Sequence, residues 1–326
     1  SQGQHSVAER SERFRLRCNP RSRQPWQDAS GHRIGHHAFR DASPTRTAGT
    51  PMESHADSEG SSLAELVRLA LLEVEQQLAR ARKGRDRGVH KARKALQRLR
   101  CLLQLLRPVA GKRARKADRR VRDLRRCFAE LRDARARFDL LQGLARSTHW
   151  AAEARHMTAV AARAASQLDR VWRRYPRDSE FWDEVERELR VLSTRLLQLP
   201  WGEVDADALR VAEARAWRRL EVRMRTDSGE CQYETRHAVR CALRRFASIR
   251  SVAQQISGTP APVVFAQLAR RCGREGDLWM AEQAVRAAAT PRSAGRLRLA
   301  DALHRERIAL CGRNRRALDR LVRADR

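Results

Sequence analysis

The chain has 326 residues, and its 69 Lys and Arg outnumber 39 Asp and Glu, which gives a formal net charge of +30 at pH 7. This charge predicts a polyanion as partner, and because only five of the basic residues are lysine, the positive field is mostly guanidinium. No apolar run is long enough to span a bilayer, and the start lacks the hydrophobic core of a signal peptide, so we expect a cytoplasmic protein without a membrane partner.

Residues 1–60 contain Ser, Gly, Arg, His and Pro with isolated hydrophobes and no periodicity, which predicts a disordered tail. The tail histidines His32, His36 and His37 lack a preorganised geometry, and we predict neither a metal site nor a cofactor. The seven cysteines are an odd number without a C-x-x-C pair. We therefore predict reduced thiols that fill the core, rather than a disulfide framework or a zinc site.

Apolar residues recur at helical spacing from Ser61 or Ser62 onwards, where either serine can cap a helix and Glu65, three residues after Ser62, lies in the first turn. A first helix is predicted to end near Lys83, before Gly84. Four more are predicted before residue 200: from Val89 to Pro108, from after Gly111 to near Gly143, over about 150–175, and from Asp178 or Ser179 to Leu199.

A second series of helices is predicted over about 205–225, 230–256 and 262–288, with a last one after Pro291. No segment alternates with a period of two, so we predict an all-α fold. Its simplest form is two antiparallel bundles of about four helices each. The predicted divisions are a tail over 1–60, an N-terminal helical half over 61–202 and a C-terminal helical half over 203–326.

One pattern occurs twice, about 147 residues apart. His90 is followed by Arg93, Lys94, Arg98 and Arg100, and His237 by Arg240, Arg244 and Arg245. Each run is followed some forty residues later by an aspartate, Asp133 in the first case and Asp277 in the second. Internal repetition of this kind predicts two equivalent helical units.

On a helical wheel, the basic residues of each run share one side, and the leucines share the other. Like charges on one helix face repel unless an anion or nearby carboxylates relieve them. A solvated arginine face is the simplest interpretation, but solvation alone requires no repeated order of His, Arg and distal Asp. The third helix adds Lys112, Lys116, Arg119 and Arg126 on a shared side, and we expect Asp133 to act as a structural anchor there.

The run His90-x-x-Arg93 with Arg98 and Arg100, followed by Leu131-Arg132-Asp133, resembles the first half of the CHAD family, the conserved histidine α-helical domain. The run that begins at His237 resembles its second half, so the resemblance covers residues 62–326. It implies two pseudo-symmetric bundles whose basic faces meet in a positively charged central cavity. It also implies binding of inorganic polyphosphate, often at polyphosphate granules.

The resemblance implies polyphosphate-binding roles for both histidines and for the arginines of the two runs. Lys94 and the cations of the third helix are added because they share the basic side. The chain departs from the family pattern at Gln97 and Ala247, where basic residues are usual, and in the segment 272–277, which matches the pattern only in part. Weaker binding by the second half is therefore an open alternative. The expected site is His90, Arg93, Lys94, Arg98, Arg100, Lys112, Lys116, Arg119, Arg126, His237, Arg240, Arg244 and Arg245.

Signatures of phosphate-binding loops, serine hydrolases, zinc proteases and magnesium-binding carboxylate clusters are absent from the sequence, so we predict no catalytic activity. Two alternatives stay open. The first is nonspecific binding of nucleic acid, which any surface of this charge allows, although aromatic residues make up only 5% and do not interleave the motifs. The second is a scaffold for an acidic partner protein, whose identity the sequence does not give.

Overall fold

The structure is a computed structural model that describes residues 62–84, 86–227, 230–257, 263–289 and 293–324. Within these ranges the chain forms ten α-helices and two short 3-10 helices, and no β-strand. The predicted all-α class is confirmed, and the predicted tail lies outside the described residues. The α-helices are α1 (Leu63–Arg82), α2 (Asp86–Leu105), α3 (Arg107–Cys127), α4 (Ala129–Ala145), α5 (Ala154–Trp172), α6 (Glu180–Leu197), α7 (Ala206–Arg225), α8 (Tyr233–Ile256), α9 (Val263–Ala288) and α10 (Ala294–Ala324).

A tight hairpin of α1 and α2 begins the fold. The Ser62 side chain accepts a hydrogen bond from the backbone N–H of Glu65 at 3.2 Å and caps α1. Gly84 adopts a φ of +76° in the connection, which glycine tolerates without strain. A Cβ atom on Gly88 would stand only 2.6 Å from the carbonyl oxygen of Gln77. The two helices therefore pack backbone against backbone, just before the histidine of the first motif.

The chain between Gly111 and Gly143 is not the single helix predicted from the apolar stripe. Phe128 leaves helical geometry and separates α3 from α4. Its ring is fully buried between Phe181 and Trp182 of α6, at centroid distances of 5.9 and 6.1 Å. Aromatic packing thus holds a bend at a position where the hydrophobic period continues unbroken.

Two hydrophobic cores stabilise the molecule. The first contains apolar side chains of α1, α2, α3, α6, α7 and α8, together with the first turns of α9 and Leu318 of α10. The second contains the C-terminal part of α4, most of α5, the later turns of α9 and the N-terminal part of α10. Burial of this apolar surface is the main force that keeps the helices together.

Each core draws helices from both sides of residue 203. Helices α7 and α8 complete the first core, and α4 and α5 contribute to the second. The long helices α9 and α10 take part in both. The division into two pseudo-symmetric halves stays a prediction, and the hydrophobic packing does not follow its boundary.

The prediction that every cysteine is a reduced thiol is wrong. Cys231 and Cys311, 80 residues apart in the sequence, form a disulfide. It links the segment just before α8 with helix α10. Their pairing depends on how α8 and α10 each pack against α9, which residue spacing does not reveal. The other described cysteines form no disulfide: Cys101, Cys127 and Cys272 are buried as predicted, and Cys241 is exposed.

No helix in the described part of the chain combines the length and the apolar character needed to cross a membrane.

Candidate functional site

The two motif helices, α2 and α8, pack against each other. Arg98 of α2 donates a hydrogen bond from Nη2 to Oε1 of Gln255 at 3.3 Å. Cys101, one turn further along α2, is buried, and burial raises the pKa of its thiol, while hydrogen bonds with Gln97 and Ser248 act in the opposite direction. The basic residues of the two motifs are therefore brought to one region, although their sequence positions lie about 147 residues apart.

Arg93 of the first motif lies inside the protein, with 9% of its surface exposed. Its Nη1 donates a hydrogen bond to the backbone carbonyl of Arg125 on α3. Burial lowers the pKa of Arg93 to about 9; the positive charges of Arg132 and Arg125 act in the same direction, and the negative charge of Asp133 acts against them. The guanidinium is charged at neutral pH, but its burial costs free energy, and a bound anion would reduce that cost.

Arg240 of the second motif is 5% exposed and occupies a similar position. Its guanidinium packs on the helical surface at Gly273 and Gly276 of α9, where added Cβ atoms would stand 3.3 and 3.1 Å from its nitrogens. Burial lowers the pKa of Arg240, with Asp277 raising it and Arg132 lowering it. The aspartate that follows each motif in the sequence is thus the attractive charge beside the motif's buried arginine, Asp133 for Arg93 and Asp277 for Arg240.

Arg132 connects the two motifs. Its positive charge lowers the pKa of Arg93 and Arg125 from the first half, and that of Arg240 and Arg244 from the second. Its own Nη1 forms an ion pair with Asp133. Cations from both halves therefore converge on one place. We call this set the central arginine cluster: Arg93, Arg125, Arg132, Arg240 and Arg244.

Arg125 and Arg244 define the open side of the central arginine cluster. Burial lowers the pKa of Arg125 to about 10, with further contributions from Arg100, Arg132 and Arg244. Arg244 is exposed, yet loss of solvent is also the largest cause of its lowered pKa, followed by the charge of Arg240. A side chain in a concave surface, open to water on one side and surrounded by protein on the others, is both exposed and partly removed from solvent. The cluster is thus accessible to an anion from solution.

Arg100 and Arg245 extend the positive charge beyond this cluster. Nε of Arg100 donates to Asp118 Oδ1 at 2.7 Å, and Nη2 of Arg107 donates to Oδ2 of the same carboxylate at 3.0 Å. Burial lowers the pKa of Arg245, and the charges of Arg100 and Arg219 lower it further. Asp118, which sequence reasoning missed, anchors the cations of α2 and α3; the predicted anchor Asp133 pairs with Arg132 instead.

Both motif histidines are half-buried at the start of their helices. His237 Nε2 lies 3.2 Å from Sγ of the exposed thiol of Cys241, one turn further along α8. The His237 ring also stacks on Tyr233, which itself stacks on Trp279 at a centroid distance of 3.7 Å. An aromatic pair therefore adjoins the second motif, although the sequence there shows no regular aromatic interleaving.

The remaining predicted positions lie on exposed surfaces of α2 and α3, and the structure does not bring them into the central arginine cluster. Arg126 forms an ion pair with Asp123 at 3.5 Å, which lies on the same helix face. Cations at exposed positions interact with anions through water and are screened by salt. These exposed positions are Lys94, Arg98, Lys112, Lys116, Arg119 and Arg126.

A buried ion network holds the start of α8. Arg236 forms ion pairs at 2.8 Å with Asp227 and with Glu275 of α9, and these carboxylates raise its pKa despite its burial. The neighbouring disulfide Cys231–Cys311 fixes the same region to α10. Because the network and the disulfide flank His237, they fix the position of the second motif relative to α9 and α10.

The cluster's chemistry is that of an anion receptor. In the described part of the chain, no group of three or more His, Cys, Asp and Glu side chains is arranged to hold a metal ion. Arg125 and Arg132 are members of the cluster that the sequence analysis did not select. Their signal was present, because they lie seven residues apart and Arg132 precedes the distal aspartate. Only packing reveals that α3 and α4 meet α2, which in turn contacts α8.

Comparisons with known proteins agree with this architecture. A family model described as CHAD domain matches residues 65–263, which include both motif helices. A solved structure titled PptA from Streptomyces chartreusis is similar in fold, with a TM-score of 0.54 and 18% sequence identity, over 79% of this chain and 96% of that one. None of the curated proteins compared matches the chain.

Proposed function

Because the chain belongs to the CHAD family, we propose that it binds inorganic polyphosphate, and that the central arginine cluster is where the polyphosphate chain binds. We further propose that the protein carries out no reaction on this ligand, and that it acts in the cytoplasm, in association with polyphosphate granules.

The observation that supports this proposal is the position of Arg132 between the two motifs. Five guanidinium groups from four helices lie close together: the charge of Arg132 lowers the pKa of the other four, and two of those four, Arg93 and Arg240, are buried. Such an arrangement destabilises an anion-free protein, so its presence indicates a ligand that compensates the charge. A ligand with closely spaced negative charges fits this requirement.

Polyphosphate has the required chemistry. Its chain carries about one charge per phosphate and can follow a curved path, so several guanidinium forks can each hold two oxygens of it. Binding would release the counterions condensed on the chain, as it does for nucleic-acid backbones, and would weaken steeply as salt rises. Duplex DNA is stiffer, with a persistence length of about 50 nm, and follows a concave cluster of this kind less readily.

The proposal is tested by competition at near-physiological salt. Labelled long-chain polyphosphate is bound to the full chain and displaced with duplex DNA, and the reverse exchange is measured at equal phosphate concentration. We expect polyphosphate to displace DNA and DNA to displace polyphosphate poorly. Equal competition by DNA would favour nonspecific nucleic-acid binding, and failure of both ligands would favour an acidic protein partner.

A variant pair localises the interaction. Replacing Arg93 and Arg240 with glutamine removes two cluster charges, whereas replacing Arg170 and Arg305 removes two charges from exposed positions of α5 and α10. We expect the first pair to lose at least about tenfold in polyphosphate affinity and the second to lose less than about threefold. Equal losses would mean that only the overall charge matters. Since Arg93 and Arg240 are buried, circular dichroism of both pairs checks that the fold is retained.

A further inference from the structure

A second basic cleft lies beside the central arginine cluster, where α7 packs against α2 and α3. It encloses about 420 Å³ and is lined by Arg107 and Arg115 of α3, Arg215 and Arg219 of α7, and the amide of Gln104. This volume is within the range of small-ligand sites, about 300–1,000 Å³. Among the described residues, no acidic side chain lines the cleft, so four positive charges face the same space.

The backbone accounts for the cleft's shape. Helix α3 is kinked at Gly111, where φ is +41°, and this residue forms part of the cleft wall. The opposing wall is formed by Ala212 and Ala216, one turn apart on α7, whose small side chains leave the space between the helices unfilled. The cleft is thus built from a kink and two small residues rather than from a gap at a chain end.

The positive charges of the cleft are only partly neutralised by carboxylates. Burial lowers the pKa of Arg107, and the charge of Arg219 lowers it further, while Asp118 acts in the opposite direction. The carboxylate of Asp118 is shared, because it also accepts a hydrogen bond from Arg100. Among the described residues, none accepts a hydrogen bond from the buried Nε of Arg107.

Positive charge is continuous between the cleft and the central arginine cluster. Arg219 lies close enough to both Arg107 and Arg245 to lower the pKa of each, and Arg245 is likewise influenced by Arg100. Arg100 in turn lowers the pKa of Arg125, which belongs to the cluster. An anionic chain that leaves the cluster past Arg245 therefore meets further cations on its way to the cleft.

We propose that this cleft is a second polyphosphate subsite, which holds the continuation of a chain whose other part lies in the central arginine cluster. The inference rests on the proposed function and adds a path and a chain-length preference to it. A chain that reaches both places makes the second contact intramolecularly, so its affinity exceeds that of a chain confined to one. Long chains should therefore bind far more tightly than short ones.

Two matched double variants of the full chain test the subsite. Arg115→Gln with Arg215→Gln removes two exposed cations that line the cleft. Arg113→Gln with Arg218→Gln removes two exposed cations of the same helices that do not line it. Affinities for tripolyphosphate and for long-chain polyphosphate are measured by calorimetry at several salt concentrations.

We expect the cleft pair to lose about tenfold in affinity for long chains and less than about threefold for tripolyphosphate. For long chains, the slope of log affinity against log salt concentration should become shallower by about 1.4, because two phosphate contacts are lost. The control pair should change both affinities by less than about threefold. Equal effects of the two pairs on long chains would overturn the subsite and leave the proposed function intact. Absence of polyphosphate binding by the unaltered protein would instead overturn the proposed function, and the subsite with it.

Discussion

Arg240 packs so closely on Gly276 that a Cβ atom there would stand 3.1 Å from its Nη1. A methyl group at this position would have to displace the guanidinium by a few tenths of an ångström. The segment 272–277 that departs from the family pattern thus retains the glycine that the buried arginine of α8 requires. Glycine is needed at this position because it leaves room for the Arg240 guanidinium, and not because the backbone turns there.

Gly276→Ala should therefore weaken polyphosphate binding by roughly two- to fivefold without lowering the free energy of unfolding, because alanine favours a helix interior by about 1 kcal/mol. Calorimetric titration and chemical denaturation measure the two effects. Gly143→Ala is the matched control, since a Cβ on Gly143 meets nothing within 4 Å. Unchanged binding in Gly276→Ala would show that the exact position of Arg240 is unimportant for the ligand.

Arg244→Gln should separate binding from stability. The variant removes an exposed cation whose neighbours include Arg240 and Arg132, so we expect polyphosphate affinity to fall by about tenfold. The anion-free protein should unfold at the same temperature or slightly higher, because repulsion among like charges decreases. Thermal denaturation with and without polyphosphate measures both effects. A lower melting temperature of the anion-free variant would contradict the repulsion that we infer in the cluster.

Gly88→Ala should destabilise the protein by at least about 1–3 kcal/mol, the usual cost of overpacking. The added methyl group would meet backbone atoms of Gln77 and Ala81 at 2.6 and 2.7 Å, and neither can move without separating α1 from α2. Urea denaturation measures the change. Gly143→Ala again serves as the control and should be neutral or stabilising, so a similar loss in both variants would contradict the close helix approach.

Polyphosphate should bind more tightly as pH falls, because protonated histidines add positive charge beside the anion. The change between pH 7.5 and 5.5 should be about threefold or more. His90→Gln with His237→Gln should flatten this dependence, whereas His149→Gln with His156→Gln, on the side of the second core, should preserve it. An unaltered pH profile in the first pair would exclude the motif histidines as ligands.

Cys241 provides a chemical footprint of the site. It is the exposed free thiol among the described residues, and it lies beside His237 and close to Arg240 and Arg244. In a Cys18→Ser background, iodoacetamide should label Cys241 well before the buried Cys101, Cys127 and Cys272, and bound polyphosphate should slow this labelling. Mass spectrometry identifies the labelled residue. Labelling at the same rate with and without polyphosphate would place the ligand elsewhere.

Local sequence patterns were sufficient to predict the helices, because their period follows from the hydrophobic faces that must be buried. Residue order alone did not predict the bend at Phe128. The apolar stripe passes through Leu124, Phe128 and Leu131 without interruption, and only the rings of α6 explain why the helix ends there. Tertiary packing overrides local periodicity at this point.

For the candidate site, repetition of the motif indicated the two buried arginines, but not which cations would surround them. Arg125 and Arg132 join the cluster because α3 and α4 pack against α2, which also contacts α8, and Asp118 is an anchor because it reaches both Arg100 and Arg107. The disulfide between Cys231 and Cys311 is hidden for the same reason. Each of these relationships depends on which helices pack together, and local periodicity does not reveal that.

Leu63 at the start of α1 and Leu318 near the end of α10 belong to the same hydrophobic core, as does Phe265 at the start of α9. A ribosome adds about 5–20 residues per second, so the apolar faces of the first helices wait roughly 10–40 s for Phe265 to be synthesised. Throughout this interval the first core lacks the apolar side chains that α9 contributes. Because the two cores are interlaced, neither is complete until most of the chain has been synthesised.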